Sequence, residues 1–330
     1  MQKTKLRSTC EKLVAKGKGI LAADESTNTI AKRFAMIDLP STEDNRRDYR
    51  ELLFTAPSIE DYISGVILFD ETIWQRSSDG RMFTDILRSK NICVGIKVDA
   101  GVKPMHADTE EALTHGLEGL GKRLHKYRQA GASFAKWRAV IKISDVLPTD
   151  ACIHKNMQAL ARYASVCQQE EIVPIVEPEV LMDGKHNIER CYAVTRQVLA
   201  SLYDELRQAN VCLYSSLLKP NMVIAAKDCP NQADSDAIAS YTVRCCKETV
   251  DEAVPGIVFL SGGQSEEQAT MNLGSIFNAG KDCPWAFSFS YGRALQESAL
   301  RTWQGKNANV AAAQQVFIKR CQANSRAIGG

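Results

Sequence analysis

The sequence predicts an α/β protein that folds as a single-domain (β/α)8 barrel with extra N- and C-terminal helices. Eight short apolar runs recur along the chain, and they alternate with longer segments in which apolar residues have helical spacing. No linker rich in Pro, Gly or Ser divides the chain, so residues 1–330 are expected to form one domain. An open, doubly wound sheet is the alternative that the same alternation leaves open.

The eight runs are apolar along most of their length, which is typical of parallel strands covered on both faces. The predicted strands, in order, cover residues 19–23, 63–69, 92–98, 133–140, 172–177, 211–219, 256–260 and 285–290. The predicted helices between them cover residues 112–130, 153–169, 187–208, 234–253 and 265–279. Further helices are predicted before the first strand, over 3–16, and after the last, over 309–325.

Composition and charge disfavour a protein that binds nucleic acid or membranes. The chain is 45% hydrophobic and 24% charged, with a formal net charge of +2, so it has no general attraction to nucleic acid or membrane surfaces. Residues 1–8 are basic but lack a following apolar core, and no stretch of about 18 apolar residues occurs. These features predict a cytoplasmic protein with a small-molecule substrate.

Lys219 lies at the end of an apolar run, directly after Leu217 and Leu218. A lysine at a strand end can extend its stem along apolar surface and keep its ammonium in water. However, Lys97 and Lys136 interrupt strand-like runs in the same way. Burial and a neighbouring cation such as Lys136 both disfavour an ammonium ion, which favours a neutral amine that can attack a carbonyl. The pattern therefore predicts a Schiff-base nucleophile.

The other unusual charged residues also fall where predicted strands end. Active sites of (β/α)8 barrels lie at the carboxyl ends of the strands. Residues at these positions are Asp24, Lys97, Lys136, Arg138, Glu177 and Lys219. Lys136 and Arg138 are two residues apart in a strand, so both side chains are expected to point into the barrel.

Glu177 and Glu179 supply two carboxylates at the rim of the predicted barrel. Forming and dehydrating a carbinolamine requires general acids and bases, which these groups can provide. Alternatively, Glu179 only favours the dipole of a following helix, and the Asp24–Ser26 region only caps one.

Two loops after the last predicted strands are suited to bind a phosphate. Ser261, Gly262 and Gly263 follow the seventh strand, and Ser290, Gly292 and Arg293 lie at the end of the eighth. Glycines allow close backbone approach to an anion, and arginine adds a charged donor fork. An alternative explanation for part of the first loop is that residues 265–268 form a capping box that starts a helix.

Cysteine and histidine patterns do not suggest a metal site. The eleven cysteines contain no C-x-x-C pair and are expected to be reduced thiols. The five histidines are far apart and show no ligand spacing, so no catalytic metal is expected. No dinucleotide or Walker-type glycine loop occurs, so no cofactor is expected.

Long motifs spread over most of the chain resemble class I fructose-1,6-bisphosphate aldolases. They read GKGILAADEST at 17–27, FAKWR at 134–138, IVPIVEPE at 172–179, LLKPNM at 217–222, LSGGQSEE at 260–267 and SYGRALQ at 290–296. The resemblance implies reversible cleavage of fructose 1,6-bisphosphate to dihydroxyacetone phosphate and glyceraldehyde 3-phosphate, in glycolysis and gluconeogenesis. It also implies a homotetramer that needs neither metal nor cofactor.

The resemblance implies a role for each matching residue. Lys219 is expected to form the Schiff base and Glu177 to carry most proton transfers, assisted by Asp24, Lys136 and Glu179. The residues expected to bind the phosphate of the ketone half are Ser261, Gly262, Gly263, Ser290, Gly292 and Arg293. Arg33, in the matching IAKR run, resembles a residue that binds a substrate phosphate. Lys97 and Arg138 match positions near the phosphate on the aldehyde side.

The sequence departs from the family pattern at its end. Many family members carry a C-terminal extension ending in a tyrosine that assists proton exchange on the enamine, whereas this sequence ends in AIGG at 327–330. Cleavage is expected because the barrel residues are present. Two other functions remain open: a related ketose- or aldose-phosphate lyase, and a non-catalytic protein that holds anionic partners at a basic barrel mouth.

Overall fold

Eight parallel strands close into a barrel in the computed structural model, which describes the backbone of residues 2–330 and the side chains of residues 4–330. With a separate two-stranded sheet formed by β4 and β5, the strands in chain order are β1 (Gly19–Ala23), β2 (Ile63–Leu68), β3 (Cys93–Lys97), β4 (Val102–Pro104), β5 (Ala112–Thr114), β6 (Phe134–Ile141), β7 (Val173–Val180), β8 (Leu217–Leu218), β9 (Gly256–Phe259) and β10 (Ala286–Tyr291). The order around the barrel is β1-β10-β9-β8-β7-β6-β3-β2. Because β1 pairs with both β2 and β10, the sheet is closed and the predicted (β/α)8 barrel is confirmed.

Helices follow the barrel strands and surround the sheet. In chain order they are α1 (Gln2–Leu13), α2 (Thr27–Ala35), α3 (Glu43–Phe54), α4 (Ile59–Tyr62), α5 (Asp70–Ile73), α6 (Phe83–Ser89), α7 (Leu120–Gln129), α8 (Asp150–Gln169), α9 (Ile188–Gln208), α10 (Ser235–Thr249), α11 (Glu266–Ala279), α12 (Arg293–Trp303) and α13 (Val310–Ala327). Asn187, Asp234 and Ser265 cap α9, α10 and α11 through their side chains. Flanking helices were predicted at both ends of the chain, and α1 and α13 confirm them.

The helix predicted over residues 112–130 is wrong in its first part. Ala112–Thr114 instead forms β5, which pairs with β4 in an antiparallel hairpin outside the barrel. Gly116 and Gly119 have φ values of 124° and 62°, which a continuous right-handed helix does not allow. The buried Asn156 side chain donates to the carbonyl of Ala112 at 2.9 Å, which anchors the hairpin to α8.

The strand predicted over residues 211–219 is also mostly wrong, since only Leu217–Leu218 joins the sheet. Leu213–Ser215 forms a 3-10 turn. The Gln168 side chain accepts from the Cys212 amide at 2.9 Å and donates to the Cys212 carbonyl at 2.8 Å, so backbone groups that a longer strand would pair are satisfied locally.

Helix α1 closes the end of the barrel opposite the carboxyl ends of the strands. Leu6, Cys10 and Leu13 are buried against apolar side chains from the interior of the barrel, among them Ile67 and Val173. A larger apolar cluster fills the space between the barrel and the helices, where Trp137 of β6 packs on Tyr163 of α8 with ring centroids 5.5 Å apart.

Candidate active site

Lys219 lies at the end of β8 with its side chain inside the barrel mouth. The residue is 4% exposed, and its backbone amide donates to the Val176 carbonyl at 2.8 Å, which attaches its backbone to β7. Its Nζ is 3.0 Å from Oε1 of Glu177. The alternative in which the ammonium extends into water is therefore wrong, since Lys219 is buried with its amine beside a carboxylate.

A chain of alternating charges surrounds that amine. Glu177 lies between two lysines, because its Oε2 is 3.0 Å from Nζ of Lys136 while its Oε1 faces Lys219. Lys136 in turn lies 2.9 Å from Oδ2 of Asp24 at the end of β1. Glu177 and both lysines are buried, and the Asp24 side chain is largely so. Strands β1, β6, β7 and β8 thus each contribute one charge to a single cluster.

The cluster holds its charges in defined states. Burial favours the neutral carboxylic acid, but Lys136 and Lys219 overcome this and hold the pKa of both Asp24 and Glu177 below the usual range. Burial alone would lower the pKa of Lys136, but the carboxylates of Asp24 and Glu177 raise it well above its ordinary value. Lys136 was expected to act on Lys219 as a neighbouring cation. The structure adds a shared carboxylate between them.

A second ion pair, between Arg138 of β6 and Glu179 of β7, lies two residues farther along these strands than Lys136 and Glu177. Glu179 is buried in β7 and accepts a hydrogen bond from Nε of Arg138, whose side chain is partly exposed at the mouth. The suggested dipole role for Glu179 is wrong because α9 begins only at Ile188. Similarly, the cap of α2 is the side chain of Ser26, not that of Asp24.

Lys97 ends β3 next to Lys136 in the sheet register. Its Nζ lies 2.7 Å from Oδ1 of Asp99, whose side chain is buried. Asp99 was not predicted as a site residue, although it lies two residues after Lys97 and directly after the third predicted strand. Lys97 and Arg138 therefore lie near the mouth, and each is paired with a carboxylate.

The two glycine-containing loops lie side by side after β9 and β10. Gly262 and Gly263 have φ values of 58° and 84°, which place both in the left-handed region. The hydroxyl of Ser290 is buried and has no hydrogen-bond partner among the described residues, and Ser261 is also buried. Gly292 precedes α12 without any side-chain cap, and the Leu295 amide donates to its carbonyl at 3.1 Å. The start of α12 is therefore suited to face an anion.

Two arginines converge on these loops. A Cβ built on Gly263 would lie 2.9 Å from Nη2 of Arg293, and one built on Gly292 would lie 3.7 Å from Nη2 of Arg33. The suggested capping box is confirmed, because Ser265 and Gln268 form it at the start of α11. The box accounts for the beginning of that helix only, and Ser261, Gly262 and Gly263 lie before it.

Glu25 and Arg50 belong to the same region and were not singled out from the sequence. Both are buried, and Glu25 accepts from Arg33 on one carboxylate oxygen and from Nη2 of Arg50 on the other, at 2.6 Å. Burial would raise the pKa of Glu25, but the two guanidinium groups lower it. The only sequence signal for Glu25 was its position next to Asp24, and Arg50 on α3 had none.

Among the described residues, no group of three or more His, Cys, Asp or Glu side chains is arranged to hold a metal ion. None of the helices in residues 2–330, which the structure describes, is both long enough and apolar enough to cross a bilayer.

The fold and the cluster together define a barrel enzyme equipped to attack a carbonyl with a lysine amine. The sequence profile of a family described as fructose-bisphosphate aldolase class-I matches residues 5–330. A cytosolic fructose-bisphosphate aldolase of Arabidopsis thaliana is 52% identical over 95% of this chain and 80% of its own length. Fructose-bisphosphate aldolase C-B of Danio rerio is 51% identical over 100% of this chain and 91% of its own.

Solved structures give the same result. A fructose-bisphosphate aldolase from Plasmodium falciparum, crystallised with TRAP and a small-molecule inhibitor, superposes with a TM-score of 0.97 at 50% identity, covering 99% of this chain and 94% of the other. The chain therefore belongs to the class I fructose-bisphosphate aldolase family.

Proposed function

We propose that this protein catalyses the reversible aldol cleavage of fructose 1,6-bisphosphate to dihydroxyacetone phosphate and glyceraldehyde 3-phosphate. The observation that carries the proposal is the position of Lys219, which is buried with its Nζ 3.0 Å from Glu177. Lys136 lies between Glu177 and Asp24 and pairs with both carboxylates. Membership of the class I family gives the substrate.

The first chemical step forms an imine on Lys219. Glu177 accepts a proton from the Lys219 ammonium, and the resulting neutral amine attacks the C2 carbonyl of the ketose. Glu177 then returns the proton to the carbinolamine hydroxyl, which leaves as water and gives an iminium ion. The lowered pKa of Glu177 favours its ionised form in the free enzyme, so it begins the cycle as the base.

The second step breaks the bond between C3 and C4. Its electron pair moves toward the iminium nitrogen and gives an enamine, while the proton of the C4 hydroxyl goes to a carboxylate and the aldehyde leaves. We assign that proton to Asp24, which lies across Lys136 from Glu177. Protonation of the enamine at C3 and hydrolysis of the imine then release dihydroxyacetone phosphate.

Two separate groups of cations support a substrate with two phosphates. Arg293, Arg33 and the loops containing Ser261 and Ser290 are assigned to the phosphate of the ketone half, because they converge on one side of the mouth. Lys97 and Arg138 are assigned to the aldehyde-side phosphate, and Lys136 and Glu179 help to hold the charges between the two. Comparing cleavage rates on fructose 1,6-bisphosphate and fructose 1-phosphate tests this preference against a related lyase.

Borohydride trapping tests the mechanism. The protein is incubated with dihydroxyacetone phosphate, with and without EDTA, then reduced and digested, and the added mass is located by peptide mass spectrometry. We expect an adduct on Lys219 in both samples. An unmodified Lys219 in folded protein would refute the imine mechanism and favour a role in binding anionic partners.

We also propose that the enzyme works in the cytoplasm, in both glycolysis and gluconeogenesis, as a homotetramer. The cytosolic relative in Arabidopsis thaliana supports the location, and the reversibility of the aldol reaction supports both directions of flux. Light scattering coupled to size exclusion, which measures the mass of the assembly, and cell fractionation test these points.

A further inference from the structure

We propose that Lys227 is an additional binding residue for the phosphate of the ketone half, and that Asp183 holds its ammonium when the site is empty. This proposal rests on the proposed function, because it names a further contact within the same site. The ligand class is a phosphate monoester dianion carried by the ketose or by dihydroxyacetone phosphate.

The first observation is where the Lys227 side chain lies. A Cβ built on Gly263 would lie 3.6 Å from Cε of Lys227 and 2.9 Å from Nη2 of Arg293. The lysine stem and the guanidinium of Arg293 therefore approach the same point on the glycine loop. Lys227, Met182 and Gly263 also line one groove of about 590 Å³ that runs along this loop.

The second observation is that the backbone under Lys227 is fixed. Its amide donates to the Met182 carbonyl at 2.8 Å, the amide of Asp228 donates to Gly184 at 3.0 Å, and that of Ala226 donates to His186 at 2.9 Å. These three bonds attach the segment to the loop after β7. Lys227 can therefore exchange partners through its side chain without breaking these bonds.

The third observation is a weak and replaceable ion pair. Nζ of Lys227 lies 2.7 Å from Oδ1 of Asp183, and the two side chains are 49% and 56% exposed. Exposed pairs contribute little to stability because water screens both charges. A phosphate dianion beside Arg293 offers the lysine more negative charge than one carboxylate, so the ammonium can exchange one partner for the other when substrate binds.

Substitutions at Lys227 and Asp183 are expected to have different effects on KM, which makes the proposal testable. If Lys227 binds phosphate, Lys227→Met raises the KM for fructose 1,6-bisphosphate by about twofold to fivefold, as expected for one partly exposed charge contact, with little change in kcat. Asp183→Asn releases the lysine and leaves this KM unchanged or lowered. If the ion pair only stabilises the two loops, both variants raise KM alike.

The experiment measures steady-state cleavage and competitive inhibition by inorganic phosphate for the wild type, Lys227→Met, Lys227→Arg, Asp183→Asn and Lys281→Met. Lys281 is an exposed lysine before β10, at the opposite end of the barrel, and controls for net charge. Support requires a raised KM and a weaker phosphate inhibition in Lys227→Met alone, with both values near wild type in Lys227→Arg.

Equal KM values for Lys227→Met and Lys281→Met would overturn the proposal, and so would parallel effects of Lys227→Met and Asp183→Asn. Failure of the proposed function has a different signature, since the wild type itself would then show no cleavage and no adduct on Lys219.

Discussion

Glu177 contacts more of the reactive cluster than any other single carboxylate described here, because each of its oxygens faces a different lysine at 3.0 Å. Replacing it by Gln keeps the shape but removes the base that would deprotonate Lys219. We expect kcat for cleavage to fall by about 10²- to 10⁴-fold, the usual contribution of a positioned acid or base. Rapid-mixing assays and the rate of borohydride trapping measure the effect on cleavage and on imine formation.

Glu11→Gln is the matched control, since Glu11 lies on α1 away from the barrel mouth, 58% exposed and paired with Arg7. We expect it to retain wild-type rates. A drop of less than tenfold in Glu177→Gln would remove Glu177 from its assigned role.

Lys136 determines how the cluster responds to acid. Asp24 and Glu177 have folded-state pKa values below their unfolded values of about 3.9 and 4.3, so their stabilisation is complete above those values and is lost as pH falls through the folded pKa. The pKa of Lys136 is raised, so its stabilisation is present below about 10.4 and is lost as pH rises through the folded value.

We expect Lys136→Met to move the acid-induced loss of stability to higher pH. Two buried carboxylates then lie near each other without the cation between them, and both burial and mutual repulsion raise their pKa. Urea unfolding across pH 4 to 9 measures this, with the exposed Lys5→Met as control. Parallel pH profiles for the two variants would contradict it.

At the scale of elements, the loop after β9 depends on two left-handed glycines, Gly262 and Gly263. Gly80, in the loop before α6, serves as a comparison for Gly263. Gly263 and Gly80 have nearly the same φ, 84° and 85°, but a Cβ on Gly80 meets nothing within 4 Å, whereas one on Gly263 meets Arg293. Substituting Ala at either position costs backbone strain of about 1 kcal/mol. We therefore expect similar losses of unfolding free energy in Gly263→Ala and Gly80→Ala.

Only Gly263→Ala is expected to weaken substrate binding, because its methyl group displaces Arg293. Its KM for fructose 1,6-bisphosphate and its inhibition constant for inorganic phosphate should rise, while both stay at wild-type values in Gly80→Ala. If both variants bind equally well, the loop is not a phosphate site.

The elements that the sequence predicted well are those whose apolar pattern agrees with their packing. Strands β1 and β9 are buried along their whole length, and a continuous apolar run is a sufficient signal for them. Residues 112–130 also have helical spacing, but Gly116 and Gly119 break the helix through their dihedral angles. Such a break depends on backbone geometry that periodicity does not encode.

The same limit applies to the site. Lys219, Lys136 and Glu177 could be found because a charge inside an apolar strand is conspicuous. Arg50 could not, since it lies in a polar helix and contacts Glu25, 25 residues away in sequence. Lys227 was hidden for a similar reason, because its approach to Gly263 is set by hydrogen bonds between two loops.

At the scale of the whole molecule, contacts between the first and last parts of the chain close the barrel. Ile20 and Leu21 of β1 pair with β10, and the side chain of Gln296 on α12 donates to the carbonyl of Ala22 at 2.8 Å. Helix α13 then returns to α3, where Gln314 donates to the Leu52 carbonyl at 2.9 Å. We propose on this basis that residues 1–330 form one cooperative domain.

Gly19→Ala tests that cooperativity. A Cβ on Gly19 would lie 2.4 Å from the ring of Phe289, so the substitution overpacks the region between β1 and β10 and should cost about 1–3 kcal/mol. In one cooperative domain, far-UV and near-UV circular dichroism shift to the same lower urea midpoint at a fixed protein concentration, and amides in β3 lose as much exchange protection as those in β10. Separate transitions, with β3 unaffected, would show instead that the barrel consists of independently unfolding parts, and the closure between β1 and β10 would then stabilise only its own side.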